Sequence, residues 1–80
     1  MKTMVAFETR VKMAENFEKA LVKYNRTGNP KVLSDAQLLM KTTYRKELSS
    51  LPERAASKIV NNLVNDDIQT VASRAQRIRS

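Results

Sequence analysis

Eighty residues make one domain at most, and a chain this short buries only about 60–65% of its unfolded surface, so its core is thin. With neither cysteine nor histidine, disulfides are excluded and a structural zinc site has no ordinary donor set, which leaves regular helix packing or self-association, here expected as a homodimer, to supply stability. Fifteen Lys and Arg against eight Asp and Glu give +7, a balance that favours DNA, RNA, an anionic membrane surface or an acidic protein as partner, although solubility charge alone reaches similar values.

The longest apolar run is Met4-Val5-Ala6-Phe7, far short of the roughly 20 residues of a membrane span. The N-terminus carries no secretory pattern, so the expected location is the cytoplasm. No stretch alternates apolar and polar residues as a strand does. The expectation is therefore an all-α single domain over residues 1–80: a small bundle of three to four helices with a long N-terminal helix.

The first helix is expected over residues 3–27. Met4, Phe7, Val11, Ala14, Phe17, Leu21 and Tyr24 recur at spacings of three and four and share one face. Thr27-Gly28-Asn29-Pro30 ends it, glycine then proline being a strong stop. Its stripe approximates heptad spacing, which makes it the expected dimer surface; packing against the chain's own helices explains the same stripe. Met1, Met4, Met13 and Met40 suit either an adaptable protein-binding face or gap filling in a thin core.

The second helix is expected over 34–49, because Ser34 and Gln37 have capping-box spacing. Ala36, Leu39, Met40, Tyr44, Leu48 and Leu51 track one face, with Lys41, Arg45 and Lys46 away from it. A tyrosine among cations can stack on an exposed base; at this spacing it also fits a core residue with its hydroxyl at the rim.

Ser50 and Glu53 repeat the capping-box spacing, and Pro52 suits a first helical turn. A third helix is expected over 52–64, its buried stripe being Ala56, Ile59, Val60 and Leu63. Asn61, Asn62, Asn65, Asp66 and Asp67 then crowd the chain with side chains that compete for backbone hydrogen bonds. The expected break falls at Asn65-Asp66, with a fourth helix over 67–79; a continuous helix is the alternative, because no Gly or Pro enforces the stop. Asp66 and Asp67 suit a helix start, Arg77 and Arg79 a helix end.

From Ile68 to Ser80 there are three arginines and no acid. Ile68, Val71, Ala72, Ala75 and Ile78 form the apolar side of that segment. Gln69, Thr70, Ser73, Arg74, Gln76, Arg77 and Arg79 lie on the other. Arg and Gln pair with purine edges, Ser and Thr with phosphates, so a major-groove helix is conceivable chemistry; a solvated basic helix end is the plain alternative. Thr70-Val71-Ala72-Ser73-Arg74-Ala75-Gln76-Arg77 resembles the recognition helix of many bacterial regulators, which implies a helix-turn-helix pair with the preceding helix. Leu51-Pro52-Glu53-Arg54 resembles the entry to region four of sigma factors. Residues 53–69 are too few for that family's intervening helix and turn, and the turn glycine is missing, so no residue role is carried across.

Catalytic chemistry finds little here. There is no histidine base, one glycine cannot build a phosphate loop, and adjacent Asp66 and Asp67 point about 100° apart on a helix, unable to clamp a metal alone. Glu15 and Glu18 share a face but have lysine neighbours. No enzyme, metal or cofactor is expected. The expected function is a small nucleic-acid-associated accessory or regulatory protein that binds mainly through phosphates, with Arg74, Arg77, Arg79, Gln69, Thr70 and Ser73 as one patch and Lys41, Arg45 and Lys46 as a second. The alternative is a non-enzymatic inhibitor or adaptor, in the style of a phage-encoded host modifier, docking on an acidic protein surface.

Overall fold

A computed structural model describes residues 4–79, with side chains up to Arg74. The described chain is all-helical and forms three helices: α1 (Phe7–Thr27), α2 (Lys31–Glu47) and α3 (Glu53–Arg79). The α1 helix is long, as expected, but α3 is longer, at 27 residues against 21. At about 1.5 Å per residue α3 reaches about 40 Å, the full long axis of a molecule measuring 41 × 23 × 17 Å.

The first link is the stop after α1. Gly28 takes φ 71°, and its N–H donates to the Tyr24 carbonyl at 2.7 Å. That left-handed cap suits glycine because it has no Cβ to strain. The turn satisfies itself: Thr27 Oγ1 donates to the Lys23 carbonyl and accepts from the Asn29 N–H. Asn29 Oδ1 in turn accepts the Lys31 N–H at 3.0 Å. Asn29 followed by Pro30 is therefore a helix start as well as a stop, with proline fixing φ at −66° where a missing N–H costs nothing. This is why α2 begins at Lys31 and the expected start at Ser34 is too late. It also packs α2 back antiparallel to α1, with Asn16, Lys19 and Lys23 opposite Val32, Asp35 and Leu39 across a shallow groove. At the other end of α1, residues 4–6 are not helical, so α1 starts at Phe7 and not at residue 3. Ala6 donates its N–H to Glu47 Oε1 at 3.3 Å, pinning the start of α1 to the end of α2.

The expected break at Asn65-Asp66 does not exist, and helices over 52–64 and 67–79 are one element. The buried stripe explains the continuity. Ala56, Val60, Val64, Asp67 and Val71 are all buried at spacings of four, four, three and four, with no change of phase. Asn61, Asn62, Asn65 and Asp66 are exposed, where their low helix propensity costs only tenths of a kcal/mol each relative to better formers. Without a turn there is no helix-turn-helix, so the implied recognition-helix pair is corrected to a single rod.

The three helices pack pairwise around Phe17, Met40, Tyr44, Leu48, Val60 and Val64, with Met13, Ala14, Leu21 and Leu63 half-buried against them. The expected α1 stripe is only partly internal. Phe17 is buried, but Met4, Phe7 and Val11 are exposed at 75%, 78% and 38%. The reason is helical phase. Arg10, Met13, Ala14, Phe17 and Leu21 centre the covered side, and Phe7 and Val11 lie at its edge where neither neighbour reaches. Leu39, expected in the core of α2, is likewise half exposed, at 47%.

Candidate nucleic-acid interface

Most polar chemistry of the interior converges on Asp67. Its carboxylate is almost fully covered. Arg10 Nη2 donates to Oδ1 at 2.6 Å and Arg10 Nε to Oδ2 at 3.4 Å, while the buried Tyr44 hydroxyl donates to Oδ2. One residue from each helix meets there, and no buried side-chain polar atom among the described residues is left without a partner. The Asp67 hydrogen bond raises the Arg10 guanidinium above its ordinary value, and burial opposes it. Burial first, then the bond to Asp67, raises the Tyr44 hydroxyl well above 10.0. Asp67 is thus an internal acceptor and not the helix-start acid read from the sequence. Tyr44 is fully buried, so the stacking role weighed for it is excluded and the core placement stands.

The cations on the outside are arranged differently. Arg10 closes an ion pair with the buried Asp67 carboxylate, whereas the following cations are on the surface. Lys41, Arg45, Thr42, Lys46 and Ser49 line one open surface of α2. Lys41 and Arg45 also form one wall of a groove whose other wall is α3, through Glu53, Ser57, Val60 and Asn61. Lys41 and Lys46 are exposed; Arg45 is half-buried and donates from Nη1 to the Leu48 carbonyl at 3.0 Å, which holds its guanidinium at the end of α2. Arg54 and Lys58 are exposed on α3. They stand four residues apart on α3, and neither lines the groove. Three cations, Lys41, Arg45 and Lys46, therefore gather where α2 ends, and the groove beside them is lined by one carboxylate, Glu53, and two hydrogen-bonding side chains, Ser57 and Asn61.

The second expected patch lies elsewhere. Gln69, Thr70, Ser73 and Arg74 are exposed on the distal half of α3. Thr70 Oγ1 donates to the Asp66 carbonyl at 2.9 Å, an intrahelical bond. Arg77 and Arg79 are in the last turns of α3, their side chains outside the described residues. Thirteen residues of helix separate Asn61 from Arg74, about 20 Å along the axis. The structure thus brings Lys41 and Arg45 together with α3, but with its first half; it does not join them to Arg74. Sequence reasoning missed Ser57 and Asn61 as groove residues, because the neighbouring wall, α2, is not visible in the local sequence.

Among the described residues no group of three or more His, Cys, Asp or Glu is placed to hold a metal ion, and no helix is long and apolar enough to cross a membrane. No protein family, curated protein or solved structure matches this chain.

Proposed function

We propose that the protein binds nucleic acid through its phosphates, at the cationic groove between the end of α2 and the start of α3, as an accessory or regulatory factor. The observation that carries this reading is the gathering of Lys41, Arg45 and Lys46 at the end of α2, with the exposed Arg54 and Lys58 following on the first turns of α3. Exposed lysines and arginines at this density release counterions when they neutralise phosphates. Ser57 and Asn61 on the groove wall add neutral donors of the kind that hold backbone oxygens. No exposed aromatic lines the groove, so stacking on unpaired bases has no platform there, and duplex backbone is the favoured ligand.

The distal set, Gln69, Thr70, Ser73 and Arg74 with Arg77 and Arg79, serves in this reading as a secondary contact about 20 Å along α3, less than one helical turn of duplex away. A titration at two salt concentrations tests the proposal. With four to five phosphate contacts, affinity for a short duplex falls by about 10²–10³-fold between 50 and 200 mM salt. Absence of salt-sensitive binding at low salt rejects it.

The alternative, a protein-docking module, draws support from a separate observation: the exposed Met4, Phe7 and Val11 at the start of α1. Apolar groups grouped this way mark interaction surfaces more often than nucleic-acid contacts. Capture of protein partners that survives nuclease treatment favours that reading.

A further inference from the structure

The outward side of α1 lies open. Glu8, Lys12, Glu15 and Lys19 are all exposed along it, at spacings of four, three and four, which keeps them on one stripe of the helix. Phe7, Val11 and Val22 are exposed beside that stripe, at 78%, 38% and 60%. Phe7, Glu8, Val11, Lys12 and Glu15 line one shallow surface depression. The apolar stripe expected to pair with a second copy is mostly internal, with Phe17 buried and Ala14 and Leu21 packed against the core. What remains outside is a different surface, and its charges alternate: acid, base, acid, base.

That alternation is self-complementary in one direction only. Positions 8 and 19, and positions 12 and 15, are equally far from a centre between residues 13 and 14. A second copy laid antiparallel about that centre sets Glu8 opposite Lys19 twice and Lys12 opposite Glu15 twice. A parallel copy sets each charge against its like, which is unfavourable. In the antiparallel register Phe7 falls two residues from the level of Val22 of the second copy, about 3 Å along the axis. Two-fold symmetry puts the apolar edges of both copies on the same side of the charge ladder. Neighbouring charges bear on the match. Glu18, half-buried at the apolar edge, falls within one turn of Lys12 of the second copy, and Lys23 about one turn from its Glu8. Arg26 lies beyond the start of the opposing helix. On α2, Asp35 shares a shallow groove with Lys19 and Lys23, so one carboxylate of the same molecule competes with Glu8 for Lys19.

We propose that the chain forms an antiparallel homodimer through the outward faces of α1, set in register by the Glu8–Lys19 and Lys12–Glu15 pairs and by Phe7 against Val22. The contact is isologous and closes at two copies. One helix face per copy is smaller than the roughly 800 Å² per partner of a standard interface, and exposed ion pairs each add little. The dimer is therefore weak, and it dissociates on dilution and with added salt. None of its residues belongs to the α2–α3 groove, so it stands apart from the phosphate reading.

Sedimentation equilibrium of the full chain without nucleic acid, up to about 1 mM, tests this with two double variants of unchanged net charge. Both change only exposed side chains, and circular dichroism checks that both stay helical. Glu8→Lys with Lys12→Glu keeps opposite charges at i,i+4 within the helix but sets like against like at every rung of the dimer. Its dissociation constant is expected to rise at least about tenfold above that of the wild type. Glu8→Lys with Lys19→Glu does the reverse. It places like charges at i,i+4 within each helix, yet restores opposite charges across the antiparallel contact, and is expected to dimerise as the wild type does. If the four charges serve only the helix that carries them, the first variant behaves like the wild type and the second gains nothing. A wild type monomeric at the highest concentration, a wild type whose mass climbs past the dimer, a first variant that dimerises normally, or a helical second variant that stays monomeric each overturns the proposal.

Discussion

The Asp67 junction and the α2–α3 groove use the same kinds of residue for opposite ends. At the junction, Arg10 and Tyr44 turn inward and spend their donors on one buried carboxylate. At the end of α2 and the start of α3, Lys41, Lys46, Arg54 and Lys58 turn outward and are exposed. The difference is set by geometry more than by composition. Arg10 sits on the covered side of α1, where an unpaired charge is costly; the groove cations sit where water screens them until a partner arrives. In a thin core a polar junction fixes which helix faces meet, while a charged rim adds nothing to the fold and is free to recognise something.

The comparison predicts that the two regions separate experimentally. The largest stability effect belongs to the junction. Asp67→Ala leaves the Tyr44 hydroxyl buried without its acceptor and Arg10 without its counter-ion. Solvent reaches part of the Arg10 side chain, which trims the penalty, so a loss of about 3 kcal/mol is expected in urea unfolding. Of the 5–15 kcal/mol typical of whole domains, that is a large share. Joint replacement of Lys41, Lys46, Arg54 and Lys58 by Ala does the reverse. It is expected to leave unfolding within about 0.5 kcal/mol per site and to flatten the salt slope of duplex binding by about one unit per lysine or arginine removed.

Tyr44→Phe is a finer probe of the junction, expected to cost about 1 kcal/mol near neutral pH. It also changes the alkaline limb. The Tyr44 hydroxyl is raised in the folded state above its ordinary 10.0. Its contribution is therefore complete below about pH 10 and is lost as pH climbs toward the folded value. Stability measured from pH 9 to 11.5 should fall more steeply in the wild type than in Tyr44→Phe. A purely local effect is expected at Gly28, away from both regions. A Cβ there meets nothing within 4 Å, but φ 71° strains any L side chain, so Gly28→Ala should cost about 1 kcal/mol without changing binding.

The helical fold and much of its core were legible in the residues. Met40, Tyr44, Leu48, Ala56 and Val60 sit inside because periodicity alone selects that face. The end of α1 was legible because Gly28 and Pro30 act through the local backbone. The errors share a cause: a local signal was read without its tertiary partner. Ser34 and Gln37 have the right spacing for a cap, but Asn29-Pro30 had already started the helix. Asp67 looked like a helix start because nothing in the local sequence reveals Arg10, 57 positions away, or Tyr44, 23 away, as its donors. The unbroken stripe from Ala56 to Val71 was the available clue. Phe7 and Val11 follow the apolar period, but period does not say how far neighbouring helices extend to cover it. Of the candidate site, Lys41, Arg45 and Lys46 were readable as outward cations; Ser57 and Asn61 became part of it only when α3 folded beside α2.

The central claim is that the groove cations, and not the net charge as a whole, carry recognition of phosphate. The most direct measurement compares the salt dependence of binding to one short duplex for the wild type and for two variants. One has Lys41, Lys46, Arg54 and Lys58 changed to Ala; the other has Lys12, Lys19, Lys23 and Lys31 changed to Ala and so the same net charge. A slope that collapses only in the groove variant is the predicted result. Equal losses of slope in both variants would contradict a localised site and leave only diffuse attraction.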